Sequence, residues 1–335
     1  MSRLRMKHLL VSVFTFLILN PCIAQFSPQV GSPGSKAISA NSPLIIFWAT
    51  SAFVQRGYIN LADTLFTVNG SNRATYGSVQ NALGKADNKV ISLGDKGYIT
   101  LSFPVTITNG PGPDFVVFEN GFICQNNPKL AFLELAFVEV STDGIHFVRF
   151  PAISLTQDTA QIGPFQCLDA RKIHNLAGKY IAMWGTGFDL TDLEDSASAF
   201  FDPNQINYVR IIDVGGSINP KFASYDAQHH IINDPFPTPY LSSGFDLDAV
   251  GVINFHNKTK KIINIFPNPC NNILFINSKQ KILNVKIFSS DGKLVMFYNE
   301  NSNFIRISVL NFPKGIYFCC IKTLSSEFCQ TLIKI

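Results

Sequence analysis

Two carboxylates, Asp114 and Glu119, bracket an apolar run, and two more, Asp246 and Asp248, stand two residues apart near the close of the same region. Side-chain oxygens of this kind in Gly- and Asn-rich surroundings suit a hard cation, because calcium takes six to eight oxygen ligands from carboxylates and carbonyls. These four are the candidate metal ligands and a structural Ca2+ the expected ion, although carboxylates so placed also cap turns. Trp184, Phe188 and Tyr240 are the candidate ligand-binding residues, since aromatic faces bury large areas at little entropic cost. Trp48 and Trp184 suit a packed interior as well, while Tyr240 lies in the proline-rich run Pro235-Phe236-Pro237-Thr238-Pro239-Tyr240, a better surface candidate. His229 and His230 are adjacent, and neighbours on a strand face opposite ways, so they do not make a chelating pair.

The chain has no Gly-x-Ser-x-Gly elbow, no His-Glu-x-x-His helix and no phosphate-binding Gly-Lys-Ser/Thr loop, so no catalytic residue is assigned. Glu119 and Glu139 are the pair a glycosidase reading would use, and that chemistry demands a defined gap between carboxyl groups which spacing along a chain does not give. A noncatalytic binding module for a glycan or other small nutrient is the first expectation. A secreted glycan-active hydrolase is the alternative.

The elements that must position these residues read as strands and turns. Phe132 to Val140, the turn Ser141-Thr142-Asp143-Gly144 and His146 to Phe150 form the clearest hairpin, with Val138 and Val140 facing inward and Glu139 on the face of Ser141. Gly94-Asp95-Lys96-Gly97 predicts a second hairpin between Val90–Leu93 and Tyr98–Phe103. Leu176 to Trp184 and Tyr208 to Val214 read as further strands, and Asn109-Gly110-Pro111-Gly112-Pro113 as a loop. No helical apolar stripe of useful length interrupts them. The expected fold is all-β, a jelly-roll or galactose-binding-like sandwich over residues 25–257.

Both ends have a different character. Arg3, Arg5 and Lys7 precede an apolar run from Leu9 to Leu19, followed by Pro21 and Ala24, which marks residues 1–24 as a signal peptide cut before Gln25. Lys258, Lys260 and Lys261 form a basic linker over 258–263, after which five short strands (Ile273–Ile276, Val285–Phe288, Phe304–Val309, Gly315–Ile321 and Phe328–Ile333) suggest a small Ig-like β-sandwich. Between Gln25 and Asn257, 13 Lys and Arg stand against 20 Asp and Glu, a net charge of −7 within a chain of formal charge +4. An acidic middle repels phosphate backbones, so nucleic acid is not an expected partner. Cys124 and Cys167 are the one intradomain pairing open to this middle region, as a disulfide or as two thiols; Cys319 and Cys320 point to opposite faces of a strand and do not pair with each other.

Residues 264–335 resemble the type A sorting domain of the type IX secretion system of Bacteroidota. The resemblance rests on Phe266-Pro267-Asn268-Pro269, the Val285-Lys286-Ile287-Phe288 strand leading to Asp291-Gly292-Lys293, Leu310 with Gly315-Ile316-Tyr317, and the closing Leu332-Ile333-Lys334. It implies export through the secretion machinery, a sortase as partner and display at the outer-membrane surface. In the middle region, Ser92-Leu93-Gly94, Asn109 to Phe115, Phe118 to Gly121, Glu134 to Ser141 and Ser243 to Gly251 resemble an uncharacterised family of bacterial cell-surface proteins. The Val-Glu-Val-Ser-Thr-Asp-Gly phrase at 138–144 is similar to a hairpin of galactose-binding-like sandwiches, and the Phe-Asp-Leu-Asp run at 245–248 resembles a last strand that gives an Asp to structural calcium in carbohydrate-binding modules.

Overall fold

The computed structural model describes residues 26–198, 200–257, 263–324 and 327–335. The expected signal peptide and all but the last residue of the expected linker lie outside the described residues. The chain divides after Asn257 into two compact units.

Strands of the first unit are, in order, β1 (Ile38–Ser39), β2 (Phe47–Trp48), β3 (Ser51–Gln55), β4 (Ile91–Ser92), β5 (Tyr98–Ile107), β6 (Phe115–Glu119), β7 (Phe122–Cys124), β8 (Asn127–Phe132), β9 (Ala136–Ser141), β10 (Val148–Arg149), β11 (Ile153–Ser154), β12 (Ile173–His174), β13 (Trp184–Phe188), β14 (Ile206–Asp213), β15 (Asp246–Val252) and β16 (Phe255–Asn257). One six-stranded sheet runs β1-β13-β6-β15-β2, with β4 also on β15; a second runs β10-β9-β14-β5-β16, with β3 also on β5. Pairing within both is antiparallel. Side chains alternate across each strand, and the inward sets meet in one cluster, Phe115, Val117, Phe188 and Val250 from the first sheet against Leu101, Val138, Val140, Val209 and Ile211 from the second. Each such side chain, fully buried, contributes about 1.5–3 kcal/mol. The expected sandwich is present, and the β9–β10 hairpin stands in the expected register, Val148 opposite Val140 and Arg149 opposite Glu139.

The three central strands β6, β9 and β15 are buried along their whole length. An antiparallel sheet commonly keeps one face in water, but here irregular chain covers the outer faces. Val116, Phe118 and Ala249 lie under Ile38, Ala40, Ile45 and Trp48 of the N-terminal segment. Leu135 and Phe137 lie under Ala152, Ile162, Leu168, Leu176 and Ile232.

Two expected elements take other forms. Ser92 pairs with Asp246 in the first sheet and Tyr98 with Ile212 in the second, so the Gly94–Gly97 turn crosses between sheets instead of closing a hairpin. Gly57 and Tyr58 pack on this turn, their N–H groups donating to the carbonyls of Leu93 and Asp95. The segment Leu176–Met183 is not a strand; only Trp184–Phe188 is. Asn175, Gly178 and Met183 have φ of 50°, 80° and 65°, left-handed geometry that a strand does not hold. A Cβ at Gly178 would lie 1.8 Å from the Glu134 carbonyl oxygen, so glycine is what lets this loop rest on the entry to β9.

The second unit comprises β17 (Ile263–Phe266), β18 (Ile273–Ser289), β19 (Leu294–Ser308), β20 (Gly315–Thr323) and β21 (Glu327–Lys334), in one sheet ordered β17-β18-β20-β21 with β19 also on β18. β18 is 17 residues long and merges two of the expected short strands. Register shifts between Asn277 and Asn284 mark where it bends, as bulges do. The two halves of the curled sheet close over one apolar cluster containing Ile265, Leu274, Ile276, Val285, Ile287, Ile305, Tyr317, Cys319, Ile321 and Leu332. Cys319 faces that cluster while Cys320, on the other face, is joined to Cys329 directly across the strand pair. Cys270 and Cys319 are buried thiols. In the first unit Cys124 and Cys167 are joined, with Cα atoms 6.6 Å apart.

Candidate functional site

The four expected metal ligands do not converge. Asp114 precedes β6 and Glu119 ends it, which separates them by the length of a five-residue strand, roughly 16 Å. Asp114 accepts hydrogen bonds from the Gly110 N–H (2.8 Å), the Asn254 amide (2.8 Å) and the Leu190 N–H (2.7 Å), tying the 109–113 loop to the end of β13. Asp248 accepts from the N–H groups of Asp87 and Asn88, both at 3.1 Å. Asp246 accepts from the Ser92 hydroxyl and from Asn120 at 3.1 Å. One Glu119 oxygen accepts from the Gly121 N–H at 2.8 Å, and the other is buried without a partner among the described residues.

These carboxylates hold loops to the sheet ends. Burial pushes Asp114, Asp246 and Asp248 up to about 6 despite their hydrogen-bond donors, and raises Glu119 well above the usual carboxylate range. A calcium site needs oxygens that are deprotonated and directed at one point; these are protonated more readily than usual and directed at separate donors. No cluster of three or more His, Cys, Asp or Glu side chains suited to a metal occurs among the described residues. The donor set does not fit the expected calcium ion.

The expected glycosidase pair is divided between the sheets. Glu119 is sealed in the first, whereas Glu139 on β9 is held by Arg149 (2.8 Å) and by Arg210 across β14. His230 leans on Asp226 at 3.1 Å, while His229 turns the chain with φ 64°.

The candidate aromatic residues scatter. Phe188 has no exposed surface; its ring stacks on Phe115 at 5.4 Å and meets Phe150 edge-on at 5.1 Å, so no face remains for a ligand. That assignment is corrected to the core, the reason being that Phe188 falls on the inward phase of β13. Trp184, half-buried, starts β13 opposite Ser39. Tyr240 is exposed and leans toward the exposed ring of Phe165, with centroids 6.2 Å apart.

A cavity of about 910 Å³ opens elsewhere, between the N-terminal segment, the Gly112-Pro113 turn, the 174–180 loop and the far end of β13. The N-terminal segment reaches it by three ties: the Phe26 N–H donates to the Arg171 carbonyl (2.9 Å), the Phe26 ring stacks on His174 (4.8 Å), and the Gln29 side chain donates to the Lys179 carbonyl (3.2 Å). The Ser27 and Tyr180 hydroxyls share a hydrogen bond of 2.6 Å on one wall. On another wall Gly187 lies so close to Ile38 and Pro113 that a Cβ would stand 2.9 Å from each. Thr186 beside it has a buried hydroxyl without a partner among the described residues.

Charge of both signs lines this space: Lys36, His174 and Lys179 with Asp189 and Asp192, and Asp192 acts on His174. Lys179 is 3% exposed and its Nζ donates to the Ile173 carbonyl at 2.6 Å. Burial, then the nearby Lys36, brings its ammonium down to about 7. His174 is lowered by burial and then by Lys179; burial raises Tyr180. Asp192 accepts from the Asn175 amide at 2.8 Å, and Asp189 from the Thr191 N–H at 3.0 Å. Reading 176–183 as a strand hid Lys179 and Tyr180, yet a single lysine within Leu-Ala-Gly-Lys-Tyr-Ile-Ala-Met was a signal, because an ammonium is seldom buried without purpose.

In the second unit the curled sheet, its Gly315-Ile316-Tyr317 strand start and the closing Leu332-Ile333-Lys334 complete a compact domain, and residues 264–335 match the family model of the secretion system C-terminal sorting domain. This tail is a secretion sorting domain. It marks the chain for type IX secretion and attachment at the outer-membrane surface. Among the described residues no helix is long and apolar enough to cross a membrane. No curated protein matches the chain.

Solved structures similar to it include β-glucuronidase 3 of Bacteroides uniformis (10% identity, 86% of this chain and 35% of that one, TM-score 0.20). The BSP domain of a biofilm-associated protein is similar at 10% identity, 88% and 52% coverage and TM-score 0.19. PorZ, a surface component of the type IX secretion system of Porphyromonas gingivalis, is similar at 9% identity, 86% and 52% coverage and TM-score 0.20. The sorting-domain chain thus spans between about a third and a half of these proteins, and likeness at such scores carries no argument about activity.

Proposed function

We propose that the first unit is a noncatalytic receptor, carried to the cell surface by the sorting domain, that captures a glycan or another small polar nutrient in the cavity beside its N-terminal segment. The observation that carries this reading is the cavity itself. Its volume of about 910 Å³ lies within the range of small-molecule sites. Its walls mix the rings of Phe26 and Tyr180 with hydroxyl, amide, ammonium and carboxylate groups, the mixture that binds a polar ring through its faces and its edges. The absence of a catalytic assignment rests on the division of Glu119 from Glu139. A hydrolase would have to use Asp189 and Asp192, the carboxylates that line the cavity.

Export by the type IX machinery brings the receptor to its ligand, and we further propose that a sortase processes the tail. Glycan-array binding of the exported chain tests the cavity reading. Retained, unaltered glycan whose binding is lost in Ser27→Trp, with the melting temperature kept, supports it. Turnover abolished by Asp189→Asn or Asp192→Asn would replace the receptor with the hydrolase.

A further inference from the structure

We infer that the ligand of this cavity is an acidic sugar, held with its carboxylate on the Lys179 ammonium and its hydroxyl groups donating to Asp189 and Asp192. This rests on the cavity reading above and narrows it.

The argument begins with an unmatched charge. An ammonium has three donors, and Lys179 spends one on the Ile173 carbonyl. Among the described residues no carboxylate lies within ion-pair distance of its Nζ, and the rings of Phe26 and Tyr180, 5.8 and 5.6 Å away, are its other close company. A buried charge without a partner is costly, and one well-placed anion removes the cost. The groups around it are Lys36 from the N-terminal segment, His174, the Tyr180 phenol, and Asp169, which Arg171 already holds at 2.5 Å. His174 has Asp192 near enough to act on it, whereas among the described residues neither Lys36 nor Lys179 has a carboxylate within ion-pair distance.

The carboxylates of the same cavity set the rest of the ligand. Asp189 and Asp192 each have acceptor capacity beyond the one hydrogen bond they make. Hydroxyl donors satisfy them, whereas a second anion there would be repelled. A monoanion with a ring of hydroxyl groups therefore satisfies both kinds of group lining the cavity. A neutral sugar leaves Lys179 unmatched, and a phosphate, which brings no ring of hydroxyl donors, leaves Asp189 and Asp192 unmatched.

The test is titration calorimetry of the exported full chain with matched pairs, glucuronic acid beside glucose, galacturonic acid beside galactose and mannuronic acid beside mannose. In at least one pair the acid should bind about tenfold more tightly at pH 6.5, and that advantage should shrink by about tenfold between pH 6 and 8.5 as the ammonium is lost. Lys179→Met should remove the advantage of the acid over its neutral partner, and Lys36→Ala should reduce it less. Acid and neutral sugar binding alike, or an advantage that ignores pH, overturns the acidic-sugar assignment and leaves the receptor standing. Silence of every pair overturns the receptor and the assignment together. Should Lys179→Met fail to fold, the pH series on the unaltered chain decides.

Discussion

In the first unit Asp95, Asp114, Glu119, Glu134, Asp213, Asp234, Asp246 and Asp248 are all buried, most of them bonded to backbone N–H groups where a loop meets a strand end. The sorting domain has Asp291, Glu300 and Glu327 as its acidic residues, all exposed, and its core is Ile, Leu, Val, Tyr and Cys. The first unit must hold long irregular segments over both faces of its sheets, and a carboxylate that gathers two or three N–H donors does this where no strand partner exists. The sorting domain has long strands that satisfy one another. The difference teaches that buried acidity here is the cost of loop coverage, and loop coverage is what builds the cavity.

Several measurements can break or sharpen that contrast. The largest effect concerns pH. Burial raises Asp114, Asp246 and Asp248 to about 6 and lifts Glu119, Glu134 and Asp234 well above the ordinary value; Asp95 and Asp213 are raised by burial, and Asp95 further by Asp213. A carboxyl with a raised folded-state pKa keeps its proton longer in the fold than in the open chain. Its contribution is complete below about pH 4 and is lost as pH climbs through the folded value, at up to about 1.4 kcal/mol for every tenfold by which the fold tightens the hold on that proton. Asp226 opposes this at low pH, where its own burial is outweighed by the N–H groups of Ser154, His230 and Gln228 and its pKa is lowered. Calorimetry of the full chain should therefore show the first unit's melting temperature highest near pH 5 and falling by several degrees toward pH 8, with the sorting domain's transition unmoved. Equal pH slopes would end the comparison.

Next in size is Phe188→Ala. Emptying its place between Phe115 and Phe150 should cost the first unit about 3–5 kcal/mol. Phe297→Ala, on an exposed residue of the sorting domain, should change stability by under about 0.5 kcal/mol; denaturant unfolding compares the two. Reduction of the disulfides comes third. Cys124–Cys167 spans 43 residues and Cys320–Cys329 spans 9, so chain entropy assigns losses of about 4 and about 3 kcal/mol, readable as separate shifts on adding reductant. Smallest is the response to chelator. With no fitting donor set, EDTA should leave both transitions within about a degree of their starting points, and a marked fall would restore the calcium site.

Much of this fold was legible as sequence because its signals are local. The Val138/Val140 alternation, the Ser-Thr-Asp-Gly turn and the sorting motifs each declare themselves within a short stretch of chain. What was hidden depends on distant partners. Nothing near Gly94 announces that Gly57 and Tyr58 will donate to the carbonyls of Leu93 and Asp95, and Leu176–Met183 has the composition of a strand until the left-handed geometry at Asn175, Gly178 and Met183 is known. Phe188 and Asp114 illustrate the same limit at the site. Phe188 sits between two residues that line the cavity, and one step of strand phase puts it inside; Asp114 has the look of a ligand, and its donors arrive from Leu190 and Asn254. The cavity was beyond reach for the same reason, since Phe26 and Ser27 join a wall some 150 residues further along the chain.

That last span has a temporal meaning. During synthesis the leading stretch emerges first and must wait, bare, until His174 and Tyr180 follow it out. A half-made polypeptide therefore owns no such enclosure. The cavity exists only once both stretches of chain have folded together.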